Sequence, residues 1–311
     1  MDADIPIKRK FLTGYRKRQL NVFLFTLPFI VISFLFSYLP LFGWYFAFID
    51  YRPSVPVLRS AFVGLKYFRL IFVTRRDLML AMGNTLALSF IGLGMSVVPP
   101  ILAIMFSQIP FKKFVKITQS LSAIPNFISW VLVYAIMYAI FMDRSGLVNT
   151  LMMRWGLIES PVNIFNNPDT AWMVQTLLGL WKSVGWGAII YLAQISGIDQ
   201  ELYQAAAIDG AGPFQRIIHV TVPGLWNIYF VMLLFAISGI TSVGFQQYWL
   251  FGNGFTWSKL EVFDTYVYRL GMEKGQYSFA SAIGILNSLV SLSLLWVANM
   301  VSKRVRGYTM F

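Results

Sequence analysis

Six stretches, at 20–42, 83–107, 120–141, 172–195, 226–250 and 278–301, contain a single charged residue between them, Lys182, and each is about as long as a helix that crosses a bilayer. A backbone in hydrocarbon has no water to bond with, so a run of this length is stable there as a helix that satisfies its own N–H and C=O groups. With 57% hydrophobic and 12% charged residues, a chain of 311 could not hide its apolar surface in a soluble domain. The expectation is an all-α, polytopic membrane protein with six transmembrane helices. The first stretch is too long for a signal-peptide core and no small-residue cleavage site follows it, so it reads as a retained span. No internal repeat or low-complexity tract is evident.

Lys and Arg placement orients the spans. Thirteen fall on the side that would hold both termini, six of them before the first span, against eleven on the other side, where the loops are longer. Both termini are therefore expected in the cytoplasm. The chain divides into a basic N-terminal segment at 1–19, a six-helix domain at 20–301 and a tail at 302–311. A net charge of +12 could indicate nucleic acid, but the densest clusters, "KRKFLTGYRKR" and "KRVR", both abut spans on one side, where anionic lipid would attract them.

What the spans lack argues against other chemistry. All 13 Asp and Glu residues lie outside them, so no carboxylate is available to hold the coupling ion of a secondary carrier. The single histidine, His219, sits in a loop, there is no cysteine, and no metalloprotease or hydrolase motif occurs. Lys182 costs roughly 2.5–3.5 kcal/mol near a helix centre. It either snorkels or faces protein, or it lines a polar pathway. Pro28, Pro99, Pro100 and Pro125 should kink their helices, and Asn126, Gln175, Gln246, Gln247 and Asn287 supply polar groups inside the spans.

Between the fourth and fifth stretches lies "QAAAIDGAGPFQRIIHVTVP", residues 204–223. Asp199 can cap a helix with Glu201 in its first turn, and Gly210 suits the left-handed position past its end. Pro213 can open a second short helix that stops before Pro223. Ala205, Ala206 and Ala207 would give this hairpin a face of little bulk. A lipid-lying helix would need large apolar residues on one face and more than one basic residue on the other, and a DNA-binding motif is excluded by tethering to spans at both ends.

This segment resembles the EAA loop of permease subunits of binding-protein-dependent ABC importers, whose pattern is E-A-A, three residues, Gly, nine residues, I-x-L-P. Gln204-Ala205-Ala206 leads to Gly210, and nine residues later comes Val220-Thr221-Val222-Pro223. The family's glutamate is Gln204 here, which keeps the length and loses the charge. "AFIDY", "VGLKYF", "GNTL", "IPNFISWV", "WKSVGWGAIIYLAQI", "FDTYVYRLG" and "YSFASAIG" are similar to the carbohydrate-uptake subfamily, in its poly- and oligosaccharide branch that includes alginate importers.

The resemblance implies a type I ABC importer permease fold in a bacterial plasma membrane, with the loop at 197–225 coupling to two separate ATP-binding subunits. No G-x-x-x-x-G-K-[ST] loop occurs in the chain, so ATP and Mg would be bound by those partners and this subunit would be non-catalytic. A second permease subunit and an extracytoplasmic solute-binding protein are implied as well. Gln204, Ala205, Ala206, Asp209, Gly210 and Pro223 are the expected coupling residues, with Gln204 bonding either the ATPase or the second helix. Asn126, Trp130, Lys182 and Gln246 are the candidates for the substrate path. An ion-coupled carrier and a non-transporting assembly protein are the alternatives.

Overall fold

The computed structural model describes residues 8–73, 75–142 and 146–306. The basic segments expected at 1–19 and 302–311 fall partly outside it, at 1–7 and 307–311. Among the described residues the architecture is helical, with one isolated antiparallel bridge, Ile49 to Phe62.

Helix α1 (Lys8–Ser33) continues through a π turn at Phe34–Tyr38 and a 3₁₀ segment at Leu39–Phe48, and Arg16–Phe48 forms the first crossing. None of its most apolar window is buried within the chain. Helix α2 (Lys66–Val73) leads to α3 (Arg75–Met95) and α4 (Val98–Gln108), which together give a crossing at Arg76–Gln108. The turn between them falls where Pro99 and Pro100 cannot donate to a helix ladder. Helices α5 (Lys112–Phe127) and α6 (Trp130–Phe141) meet at 103°, so the stretch expected as a span kinked at Pro125, 120–141, is a broken one.

Helix α7 (Leu147–Arg154) precedes α8 (Ala171–Ser196), the fourth crossing. After it come α9 (Gln200–Ile208), α10 (Pro213–Arg216), a π turn at Ile217–Thr221 and α11 (Val222–Ser238). Short helices α12 (Gln246–Phe251), α13 (Trp257–Leu260) and α14 (Phe263–Tyr268), with a π turn at Arg269–Glu273, lead into α15 (Tyr277–Arg306), the last crossing.

The crossings share two ends. At one, Ser278 accepts from the Tyr51 N–H at 3.0 Å and donates to the Ile49 carbonyl at 2.6 Å, and Asn253 donates to the Phe165 carbonyl at 3.0 Å. This is the loop end. At the other, Ser107, Pro110, Lys112 and Gln200 border one groove. This is the hairpin end. Lys112 begins at the hairpin end, whereas the Phe141 ring lies 6.1 Å from Phe165 at the loop end. The bent pair therefore traverses the bundle, which makes six crossings among the described residues, with the Lys8 end of α1 and the Arg306 end of α15 at the hairpin end.

The fifth crossing corrects the sequence reading. It runs Pro213–Ser238, not 226–250. Residues 239–276 fold back as a plug at the loop end, where Asn84 donates to the Ser258 and Glu261 carbonyls at 3.0 Å and Trp172 Nε1 donates to the Lys259 carbonyl at 2.9 Å. The Asp264 carboxylate accepts from Ser242 Oγ at 2.9 Å and from the Gly244 N–H at 3.1 Å, holding the chain out of helix just past Ser238. Hydropathy cannot separate an apolar segment buried in protein from one facing lipid. The buried Ile240 and Tyr248, with Val243 and Leu250 packed on the core of the plug, give 226–250 its resemblance to a span.

Candidate functional site

Local cap chemistry shapes the hairpin. Asp199 Oδ1 accepts from the Glu201 N–H at 2.9 Å, and Glu201 places negative charge at the positive end of α9. At the far end the Gly210 N–H donates to the Ala207 carbonyl at 3.1 Å and the Ala211 N–H to the Ala206 carbonyl at 2.9 Å. These two bonds form a Schellman closure, which requires a left-handed residue, and Gly210 has φ +79°. The next helix starts as its sequence implies, with Pro213 at its first position and the Gly212 N–H bonded to Gln215 Oε1 at 2.8 Å.

It does not stop before Pro223. The chain stays helical from Pro213 to Ser238 because the π turn, closed by the Val222 N–H on the Ile217 carbonyl, supplies the irregular step at which a helix can accept a proline. The expected second short helix is thus the leading end of the fifth crossing. Tyr203 Oη and Thr221 Oγ1 lie 2.9 Å apart, with Thr221 fully buried, and Gln194 Nε2 donates to the Gly224 carbonyl at 3.3 Å. The α9 helix is pinned to the π turn that leads into α11, and α8 is joined to the first turn of α11 itself.

Consecutive helical residues point about 100° apart, so the three alanines do not share one face. Ala205 and Ala207 are exposed, while Ala206 is half-buried on the stripe of Tyr203. Gln204 and Asp209 are exposed, and among the described residues no side-chain bond joins Gln204 to α10. Pro223 is exposed beside the buried Thr221. Around them Leu202, Ile208 and Phe214 are 54%, 87% and 72% exposed, an apolar surface on a rigid projection.

In the spans, Lys182, Asn126 and Trp130 converge and Gln246 stands apart. Lys182 Nζ donates to the carbonyls of Pro125, Asn126 and Ile128 at 3.1, 2.7 and 2.6 Å and lies 5.5 Å from the Trp130 ring centre. These contacts surround the break between α5 and α6. Gln246 is exposed on α12, whereas its neighbour Gln247 is buried and donates to both oxygens of Gln175 at 2.8 Å.

A cavity of about 370 Å³ opens between α3, α8, α11 and α12, lined by Ser89, Ser96, Gln175, Thr176, Ser183 and Gln247 among apolar groups. Its polar walls were missed because each residue looks like an isolated interhelical donor. The signal was present in α8, where Gln175, Thr176, Gly179 and Ser183 recur at helical spacing on one stripe. Hydroxyls and amides around a void of this size suit the hydroxyl groups of a hydrogen-bonding solute. Among the described residues no cluster of His, Cys, Asp or Glu suits a metal ion.

The family model described as "Binding-protein-dependent transport system inner membrane component" matches residues 110–307. The polygalacturonan/rhamnogalacturonan transport system permease protein YteP of Bacillus subtilis (strain 168) is 35% identical over 298 residues, covering 96% of this chain and 92% of its own. The crystal structure of a bacterial alginate ABC transporter in complex with an alginate pentasaccharide-bound periplasmic protein contains a chain that superposes with a TM-score of 0.84 at 30% identity, over 94% of this chain and 98% of that one. A bacterial ABC transporter involved in the import of the acidic polysaccharide alginate gives the same TM-score and identity, over 95% of this chain and 99% of the other.

Proposed function

The chain belongs to the family of binding-protein-dependent transport system inner membrane components, and from that premise we propose that it carries acidic oligosaccharides, alginate fragments among them, through a path shared with a second permease subunit. It is a multi-pass permease subunit of a sugar ABC importer in a bacterial plasma membrane. Coupling runs through the α9 hairpin to a separate pair of ATP-binding subunits, which bind ATP and Mg; this chain does not itself catalyse hydrolysis. The hairpin end, with both termini, faces the cytoplasm, and the loop end receives sugar from a solute-binding protein.

The observation that carries this reading is the double capping of α9 together with the Tyr203–Thr221 bond. A floppy loop would absorb a partner's displacement, whereas a capped helix fixed to the crossings on either side delivers it to them. Its exposed Leu202, Ala205 and Ile208 offer a docking surface with little side-chain bulk at its centre. Relatives named for polygalacturonan and for alginate support an anionic saccharide.

Ala205→Trp tests the docking. The variant should insert in the membrane at wild-type level, lose copurification with the ATP-binding subunits, and abolish ATP-dependent uptake of alginate pentasaccharide by reconstituted vesicles. Retained copurification would remove the hairpin from the coupling route, and uptake that survives ATP depletion and follows an ion gradient would establish a carrier instead.

A further inference from the structure

The α5–α6 break is an unusual place for a cation to be satisfied. A helix ending inside a bundle leaves its last carbonyls without intrahelical donors. Here Pro125 and Ser129 accomplish the local part: Pro125 removes a backbone donor two residues before α5 ends, and the Ser129 hydroxyl accepts from the Leu132 N–H at 3.3 Å to start α6. The Pro125 carbonyl accepts from the Ile128 N–H at 3.2 Å, and it and the carbonyls of Asn126 and Ile128 are also capped by a residue from another helix, since the three protons of Lys182 are spent on them. A cation also complements the negative end of α5.

Two neighbours of Lys182 on the same stripe of α8 grip the same end of α5. A Cβ built on Gly185 would collide with the Ser122 backbone, so α5 and α8 are in backbone contact there. Trp186 meets Phe127 edge to face at 5.3 Å. Residues i, i+3 and i+4 of one helix thus hold the last two turns of another. Fourteen residues past Lys182, α8 ends and the α9 hairpin begins.

We propose that the Lys182–Gly185–Trp186 stripe is a transmission latch, through which movement of the α9 hairpin sets the angle of the broken third crossing. This rests on the coupling function proposed above and extends it: α8 is the arm, the end of α5 is the load, and the two-residue joint at Ile128–Ser129 is where the crossing flexes. Lys182 acts as a positioning residue through backbone carbonyls. With its donors committed, it does not meet the sugar.

The chain has no cysteine, so spin labels at Lys113→Cys and Tyr138→Cys report the bend of the assembled, membrane-reconstituted transporter. In the otherwise wild-type chain, ATP should shift a narrow interlabel distance distribution. Lys182→Met should broaden it and erase the shift, and should cut alginate pentasaccharide transported per ATP hydrolysed at least tenfold while ATP hydrolysis persists. Lys182→Arg, which keeps the donors, should restore most of both; Lys182→Gln provides a milder loss if the Met variant assembles poorly. A Met variant that keeps the narrow distribution and its response to ATP overturns the latch and leaves the coupling function standing. Loss of uptake with the distance response intact also overturns it, since it would place Lys182 on the sugar. A labelled wild-type chain indifferent to ATP contradicts the coupling itself, and the latch with it.

Discussion

Glu261 is 4% exposed, and burial pushes its carboxyl group upward while the Arg269 guanidinium draws it back. The two are hydrogen-bonded within the plug, at the point where the Glu261 backbone carbonyl accepts from Asn84 of α3. Removing one partner of a buried pair strands the other charge. Arg269→Met should therefore lower stability by about 3–5 kcal/mol, read from thermal unfolding in detergent. Without Arg269 the folded-state value of Glu261 rises further above its unfolded value, so the stability of the variant falls as pH rises and recovers in acidic buffer. Glu261→Gln combined with Arg269→Met should be milder than Arg269→Met alone. Equal losses at acidic and neutral pH would show that the carboxylate is not the cause.

At the scale of elements, the α9 hairpin depends on Gly210. A β-branched residue in the left-handed region costs about 1–2 kcal/mol, enough to open a Schellman closure on an exposed loop. Gly210→Val should raise protease sensitivity between Ile208 and Pro213 and reduce copurification with the ATP-binding subunits several-fold, leaving the unfolding midpoint of the bundle in place; Gly210→Asn should be tolerated. Unchanged protease sensitivity would contradict the closure. Such caps were legible in sequence because Asp199, Gly210 and Pro213 act on neighbours within a few residues. The continuity of α10 through Pro223 was not, since a π turn leaves no compositional mark. Nor was the role of Lys182, whose acceptors lie 54 to 57 positions away.

For the whole molecule, five crossing positions followed from uncharged runs because lipid imposes a length and a composition on any helix that faces it. The run at 226–250 misled for the same reason in reverse: its second half is apolar because Val243, Tyr248 and Leu250 pack with Phe165 and Leu260 inside the protein. The polar cavity, built from four helices, was legible on α8 alone.

The proposed coupling sets one end of the bundle against an ATP-consuming partner, and the cysteine-free chain allows that to be tested directly. Ala205→Cys should resist a membrane-impermeant maleimide applied to intact spheroplasts, react with it in inverted vesicles stripped of peripheral proteins, and be shielded again when the ATP-binding subunits are restored. Labelling from outside, or equal labelling with and without those subunits, would contradict the account.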